Sequence, residues 1–279
     1  MTDVSSNLDP VDPAIALAQT IEFLTVRGGA DAGCWIGEPP EWFGPYLFGG
    51  FVIAQGIAAA TQDVEPGRRL HSLHAYFLRP ATTASPIDYA VRSLRAGRSF
   101  ATSRIEAEQA GKPVLEMTCS FTTDTEGYVY DQPASAEVPA LDADAAEPGP
   151  GPWLAVPLGP TPARPDGTRE STHRQWFRIP VPLPDDPHLH AALLGFATDW
   201  TGIGGRPLHL DGDTTGMVSL DHAAWFHRPA RVDEWLFYDV HSLVNAGGRG
   251  LVRGVMRDRG GRVVASVAQE MRLTPVEPT

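Results

Sequence analysis

The alternation of hydrophobic and polar residues divides the chain into two similar series of elements. In the first series, a helix is predicted from Asp12 and Pro13 to the stop at Gly28-Gly29. A second helix, over 49–61, is apolar on nearly every side, so we expect it to be buried. Four strands separated by turn signals follow, over 70–78, 86–95, 99–110 and 113–123.

The second series follows a segment of different character. Residues 126–170 include nine prolines between Pro133 and Pro165, which predicts a semi-rigid linker. The elements predicted after it are a strand over 175–179, a helix over 187–199, and strands over 216–226, 234–243, 249–257 and 262–272. We therefore expect an N-terminal unit over 1–125, a linker over 126–170, and a C-terminal unit over 171–279.

The two series also share sequence. The run Tyr76-Phe77-Leu78-Arg79-Pro80-Ala81 returns as Trp225-Phe226-His227-Arg228-Pro229-Ala230, an offset of 149 residues from Tyr76 to Trp225. A period of about half the chain indicates two similar units. An apolar helix beside strands long enough to wrap it predicts an α+β double hotdog fold. In that fold, two curved antiparallel sheets each surround a central helix, and their edges join into one sheet.

Charge and composition exclude several classes of function. The formal net charge is −12, from 22 basic and 34 acidic residues, which argues against nucleic acid as a partner. Two cysteines, Cys34 and Cys119, fit a reducing compartment. The N-terminal residues form no basic and apolar leader, and no apolar run approaches the ~20 residues of a membrane span, so we expect a cytoplasmic protein. Exposed sheet edges would allow a homodimer or homotetramer.

Familiar catalytic and metal-binding motifs are missing from the sequence. It contains no G-x-S-x-G elbow, no H-E-x-x-H and no C-x-x-C. Gly248-Arg249-Gly250 is followed by Leu251-Val252-Arg253, which breaks the dinucleotide fingerprint. We therefore expect chemistry that uses no metal.

Several motifs agree in order and spacing with a known family. Phe48-Gly49-Gly50, the run from His71 to Pro80, Leu220-Asp221-His222 and Ala268-Gln269-Glu270 resemble the acyl-CoA thioesterase II (TesB-like) double-hotdog family. The resemblance covers roughly residues 30–125 and 172–273. It implies hydrolysis of fatty acyl-CoA to free fatty acid and coenzyme A, without a metal, a cofactor or a covalent intermediate. Coenzyme A is then part of the substrate.

The resemblance also implies the site residues. The family's Asp, hydroxyl residue and Gln, which hold the attacking water, fall on Asp199, Ser219 and Gln269. Serine stands where threonine is common, which preserves the hydroxyl. The candidate substrate-binding residues all belong to the first unit: Gly49, Gly50, Phe51, Gln55 and His71. Phe51 occupies a position where the family often has glutamine, so it could reshape the acyl pocket.

Physical arguments bear on each candidate. An acid late in a helix is poorly placed for the helix dipole, so a role as base explains Asp199 better than structure does. An amide in a largely buried strand, such as Gln269, needs hydrogen-bond partners. The helix start at Gly49-Gly50 could polarise a thioester carbonyl or could simply allow close packing. For His71, a structural role is the commoner case.

The duplication gives an independent test. The offset slips from 149 to 150 at Gly111 and Gly261, so it pairs Ser219 with Leu70 and Gln269 with Cys119. Aligning the two central helices pairs Asp199 with Ala58. The polar trio is therefore specific to the second unit, and we expect one active site per chain. Two alternatives stay open: an acyl-CoA or fatty-acyl binding protein of the same fold with little catalysis, and a hotdog enoyl-CoA hydratase, which would need an Asp/His dyad.

Overall fold

The structure, a computed structural model, describes residues 13–40, 44–123, 126–131, 138–149, 152–159, 172–200 and 215–275. The helices in these ranges are α1 (Pro13–Leu24), α2 (Gly49–Thr61) and α3 (Pro187–Thr198). The strands of the first half are β1 (Val26–Gly28), β2 (Cys34–Gly37), β3 (Arg68–Phe77), β4 (Ile87–Ala96), β5 (Phe100–Gln109) and β6 (Lys112–Thr123). Those that follow are β7 (Glu147–Pro148), β8 (Leu154–Pro157), β9 (Thr172–Arg178), β10 (Thr215–Ser219), β11 (Asp221–Phe226), β12 (Leu236–Ala246), β13 (Arg249–Arg257) and β14 (Val263–Pro275).

All of these strands belong to one antiparallel sheet. Its order is β1-β2-β4-β5-β6-β3-β11-β14-β13-β12-β9-β8-β7, and β10 pairs with β14 beside β11. The two halves join where β3 pairs with β11, for example at Ala75 and His222. The expected double hotdog with fused sheet edges is confirmed, and this seam brings strands of both halves next to the central helices.

The central helices α2 and α3 pack directly against each other. Ten of the thirteen residues of α2 are buried, as its apolar sequence predicts. Glycines allow the close approach: a Cβ at Gly195 of α3 would collide with Ile57, and one at Gly50 of α2 would collide with the carbonyl oxygen of Phe196. The first turn of α2 therefore lies beside the last turn of α3.

Element boundaries near the first sheet edge differ from the prediction. α1 ends at Leu24, earlier than the Gly28-Gly29 stop, because Val26–Gly28 forms β1 against β2. β2 in turn pairs with β4 and extends the sheet. Strands of three and four residues are too short to show a periodicity, so neither β1 nor β2 was predicted from the sequence.

The strand predicted over 216–226 is two strands, β10 and β11, which meet at Leu220. Both pair with β14, but the register shifts between them: Ser219 lies opposite Met271, and Ala223 lies opposite Ala268. The shift corresponds to one extra residue on the β10–β11 side, as in a β-bulge. A hydrophobic pattern cannot show such an insertion because both parts alternate normally.

Part of the proline-rich segment is built into the second half. β8 pairs with β9, and the preceding residue, Trp153, is buried in the core. Its ring stacks on Phe196 of α3, with the centroids 6.0 Å apart, and forms a T-shaped pair with Trp200, with the centroids 5.1 Å apart. Burial of an aromatic side chain stabilises the fold by about 1.5–3 kcal/mol, which explains why this stretch is not a simple spacer. None of the described helices has the length and apolar character needed to cross a bilayer.

Candidate active site

Asp199 lies where the two central helices meet. It is the C-cap of α3 and is buried, with 3% of its surface exposed. The backbone N–H of Gly50, in the first turn of α2, donates a hydrogen bond to its Oδ2 at 2.8 Å. The unfavourable dipole of its own helix is thereby offset by the positive end of a neighbouring helix. A Cβ at Gly49 would come within 2.8 Å of the same oxygen, so glycine is what lets the helix start approach the carboxylate.

Gln269 connects the carboxylate to a hydroxyl group. From the middle of β14, its Nε2 donates to Asp199 Oδ1 and to Ser219 Oγ, both at 2.7 Å. Gln269 is fully buried, whereas Ser219, at the end of β10, is only partly buried. The structure therefore brings the three residues singled out in the sequence into one hydrogen-bonded cluster, with Ser219 nearest to solvent.

The environment of Asp199 changes its acidity. Burial raises the pKa of Asp199 to about 7, because an ionised carboxylate loses its hydration in the interior. Hydrogen bonds from Gln269, Gly50 and Ser219 act in the opposite direction and lower the pKa by favouring the charged form. A carboxyl group with a pKa near neutrality is well matched to the work of a general base.

A fourth polar residue, His222, stands behind Gln269. Its Nδ1 lies 3.0 Å from Gln269 Oε1 and its Nε2 lies 2.8 Å from Thr198 Oγ1. The ring is buried, and desolvation lowers the pKa of His222 to about 4, so the ring is neutral at pH 7. His222 is not among the site residues predicted from the sequence, although the offset of 149 pairs it with Leu73 and so marks it as polar in the second half alone.

Thr198 ties this network to the end of α3. Its Oγ1 lies 2.6 Å from the carbonyl oxygen of Gly195, and its own carbonyl accepts a hydrogen bond from the Tyr238 hydroxyl at 2.8 Å. Since Thr198 immediately precedes Asp199, these bonds hold the backbone from which the carboxylate projects. The cluster and the residues that hold it thus draw on two helices and four strands.

Comparison with known proteins identifies the family. The acyl-CoA thioesterase N-terminal domain model matches residues 38–122, and the acyl-CoA thioesterase C-terminal domain model matches residues 129–273. The chain belongs to the acyl-CoA thioesterase family. It is accordingly a thioester hydrolase, which confirms the family and the enzyme class predicted from the sequence.

Individual relatives agree. Acyl-CoA thioesterase 2 of Haemophilus influenzae is 30% identical over 246 residues, which cover 80% of this chain and 86% of the relative. Human acyl-coenzyme A thioesterase 8 is 29% identical over 254 residues, 80% of this chain and 79% of the relative. Among solved structures, the acyl-CoA thioesterase II TesB2 from Mycobacterium marinum superposes with a TM-score of 0.77 at 32% identity, covering 93% of this chain and 98% of that one.

Three of the predicted substrate-binding residues of this thioesterase have structural partners in the first half. Phe51 is buried in the core, with its ring centroid 4.7 Å from that of Phe23. Gln55 is also buried, and its amide donates to the carbonyl oxygens of Phe23 and Glu38. His71 Nε2 lies 2.8 Å from Ser120 Oγ. A role for these three side chains in substrate binding stays a prediction.

The other two predicted substrate-binding residues, Gly49 and Gly50, do lie at the polar cluster. The Gly50 N–H is directed at Asp199, so in this structure it serves the carboxylate. Polarisation of a thioester carbonyl by this helix start also stays a prediction. The described part of the chain has no group of three or more His, Cys, Asp or Glu side chains placed to share a metal ion.

Proposed function

We propose that the enzyme hydrolyses fatty acyl-CoA to free fatty acid and coenzyme A, using a water activated by Asp199 and oriented by Ser219 and Gln269. The observation that carries the proposal is the convergence of these three groups, with Gln269 Nε2 at 2.7 Å from both Asp199 Oδ1 and Ser219 Oγ. The thioesterase relatives supply the substrate class. A thioester is already an activated acyl group, so its hydrolysis mainly needs a positioned water, a base for the proton of that water, and donors for the developing oxyanion.

Asp199 acts as the general base in this proposal. Its pKa of about 7 leaves much of the carboxylate ionised at neutral pH, yet basic enough to take a proton from water. The water oxygen attacks the thioester carbonyl carbon while one hydrogen passes to Asp199. The tetrahedral intermediate then collapses, the carbon–sulfur bond breaks, and the thiolate leaves.

The departing thiolate needs little help from an acid group of the enzyme. A free thiol has a pKa of about 8.5, so the thiolate is a far weaker base than an alkoxide or amide and needs less acid assistance. The proton taken up by Asp199 can be returned to the thiolate or to solvent, which restores the ionised carboxylate. Water and thioester are thereby converted to acid and thiol with all atoms accounted for.

Ser219 and Gln269 position the water. Ser219 Oγ accepts a hydrogen bond from Gln269 Nε2, so its own hydrogen is available to the carboxylate or to a water on the partly exposed side of the cluster. Gln269 is fully buried and uses both amide hydrogens within the cluster. A water held against Ser219 would be within reach of the Asp199 carboxylate.

The test is turnover by Asp199→Asn on a panel of short, medium, long and branched acyl-CoA esters, measured as free thiol release. We expect kcat to fall by roughly 10²–10⁴-fold, because the base is removed while the side-chain shape is retained. Ser219→Ala should lower kcat less than Asp199→Asn does. Ser219→Thr retains a hydroxyl group, so it should keep most of the wild-type kcat.

Asp186→Asn is the matched control. Asp186 caps the other end of the same helix through the N–H groups of His188 and Leu189, and asparagine caps equally well. Its kcat should equal that of the wild type. Undiminished thiol release by Asp199→Asn would refute the assigned base. Tight acyl-CoA binding without thiol release by the wild type would favour the binding-protein alternative, and hydration of an enoyl-CoA without thiol release would favour the hydratase.

A further inference from the structure

His222 is connected to the Asp199 cluster through two residues, Gln269 and Thr198. It projects from β11 beside the seam between the halves, and its two ring nitrogens contact Gln269 and Thr198. Both partners belong to the site: Gln269 binds the carboxylate, and Thr198 precedes it in the chain. The ring therefore links the strand that carries the amide to the helix end that carries the base.

The protonation of this ring follows from the carboxylate. An ionised Asp199 can only accept hydrogen bonds, so Gln269 must turn its Nε2 toward it and its Oε1 toward His222. An oxygen facing Nδ1 requires that Nδ1 carry the hydrogen. Because a neutral ring has a single N–H, its Nε2 then accepts. The Thr198 hydroxyl at 2.8 Å is the donor, and it shares its one hydrogen between this nitrogen and the carbonyl oxygen of Gly195 at 2.6 Å.

We propose that His222 is a positioning residue, whose Nδ1–H holds Gln269 Oε1 so that both amide hydrogens point at Asp199 and Ser219. The inference rests on the proposed function, since it concerns how the groups that orient the water are themselves oriented. Without the Nδ1–H donor, the amide can rotate by half a turn. Its oxygen would then face the Asp199 carboxylate, and the bond to Ser219 would be lost.

Among the residues that the structure describes, few groups face Asp199. The N–H of Gly50 approaches from α2, Ser219 from β10 and Gln269 from β14. Tyr238, on β12, is near enough for the Asp199 charge to contribute to its raised pKa, although burial is the larger cause. Gln269 contributes the strongest of the hydrogen bonds that favour the ionised carboxylate, so freeing its amide should raise the pKa of Asp199.

Two substitutions separate the roles of the ring nitrogens. In His222→Asn the side-chain amide nitrogen takes the place of Nδ1 and can still donate to Gln269. In His222→Gln the amide nitrogen takes the place of Nε2 and faces Thr198 instead. We expect His222→Asn to keep kcat within about fivefold of the wild type, and His222→Gln to lose roughly 10–100-fold, the scale expected when a reacting group is misplaced by about an ångström.

The pH profile and the kcat-to-KM split distinguish positioning from mere stability. In His222→Gln the acid limb of kcat/KM should move to higher pH, because a carboxylate that has lost its amide donor is protonated more easily. The loss should lie in kcat rather than KM. His222→Asn should leave the acid limb in place, and circular dichroism should confirm that both variants are folded.

A spectroscopic measurement needs no activity and no His222 variant. With ¹⁵N-labelled histidine at pH 8.5, the ring shifts should report an Nδ1–H tautomer for His222 in the wild type. In Asp199→Asn the asparagine oxygen accepts from Gly50, so its NH₂ group faces Gln269. The glutamine amide must then reverse, present Nε2 to the ring, and select the Nε2–H tautomer.

The outcomes separate this inference from the proposed function. If Asp199→Asn is inactive while His222→Gln retains wild-type kcat and acid limb, the positioning role is refuted and the proposed base stands. If Asp199→Asn is fully active, the proposed function is refuted, whatever the His222 variants show. Should the His222 variants not fold, an Nε2–H tautomer in the wild type, or an unchanged tautomer in Asp199→Asn, would overturn the inference.

Discussion

The two halves of the molecule share the same arrangement of central helix and strands, but they differ in the side chains at matching positions. In the first half Leu73 lies opposite Cys119 on paired strands, and the offset of about 149 carries this pair onto His222 and Gln269. Arg79 donates to the carbonyl oxygen of Pro113, as its counterpart Arg228 donates to that of Val263. In each half, the arginine thus connects the turn after one strand to the start of the last strand of that half.

The difference lies in the residues that face the central helices. Leu70, Leu73 and Cys119 are apolar and buried in the first half, where they pack into the common core. The matching positions of the second half are Ser219, His222 and Gln269, which are hydrogen-bonded into the Asp199 cluster. In the first half, these positions thus contribute to the apolar core. In the second half, the same positions form a polar site whose groups are hydrogen-bonded to one another.

The first half nevertheless completes the site. Its helix α2 contributes the Gly50 N–H, which is 149 residues away in sequence from the Asp199 carboxylate that it binds. Neither half alone therefore contains the full set of contacts to the base. One central helix supplies the acid, and the other supplies the positive helix end that stabilises it.

Among substitutions that compare the two halves, the largest effect should come from replacing Gln269 rather than its first-half counterpart Cys119. Gln269→Leu removes both donors from the cluster, and we expect a roughly 10²–10³-fold fall in kcat, as for loss of a preorganised donor. Cys119→Ser, at the matching buried position, should leave kcat unchanged and cost about 1–2 kcal/mol of stability. Thiol release and chemical denaturation measure the two quantities. Equal losses of turnover in both variants would mean that the asymmetry between the halves is not functional.

A smaller effect is expected in the pH dependence of the wild type. Because burial raises the pKa of Asp199 to about 7, the base is progressively protonated below that pH. The value of kcat/KM should fall about tenfold for each pH unit below the pKa and level off above it. Stopped-flow or steady-state thiol release between pH 5 and 9, corrected for spontaneous hydrolysis, tests this. A flat profile down to pH 5 would contradict Asp199 as a base with a raised pKa.

The smallest effect distinguishes two glycines of α2. A Cβ at Gly50 would collide with a backbone carbonyl of α3 and with the Phe48 ring, so Gly50→Ala should destabilise the protein by about 1–3 kcal/mol. A Cβ at Gly56 would meet the flexible Met117 Cε at 2.7 Å, and alanine favours the helix. Gly56→Ala should therefore stay within about 1 kcal/mol of the wild type. Denaturant unfolding measures the stability of both variants. Equal losses of stability would show that α2 packs no more tightly against α3 at Gly50 than it packs against its other neighbours at Gly56.

Much of the frame could be predicted before the structure. The all-apolar segment 49–61 predicted the buried helix α2, and the repeat of Tyr76 to Ala81 at Trp225 to Ala230 predicted two similar units. The edge strands β1 and β2, the break at Leu220 and the buried Trp153 were not predicted. Short strands and single-residue register shifts produce no periodic pattern in the sequence. The prolines around Trp153 are typical of a linker, so the sequence did not indicate that its side chain is buried.

The candidate site was predicted in part. Asp199, Ser219 and Gln269 could be selected because of the family resemblance and because they are polar where the first half is apolar. His222 is also polar where the first half is apolar, but it was not predicted, because the sequence around a histidine in a strand does not show which residues it contacts. Its contacts with Gln269 and Thr198 come from three separate elements that only the fold brings together.

The sequence by itself determined the two-unit frame and the family, because the spacing of apolar residues and the internal repeat are properties of the chain order. Only the tertiary structure decided how the charge of Asp199 is tolerated. An acid at the end of α3 is unfavourable in its own helix, and it becomes tolerable because glycine contacts bring the start of α2 beside it. That compensation depends on distances between groups far apart in the chain, which no local pattern encodes.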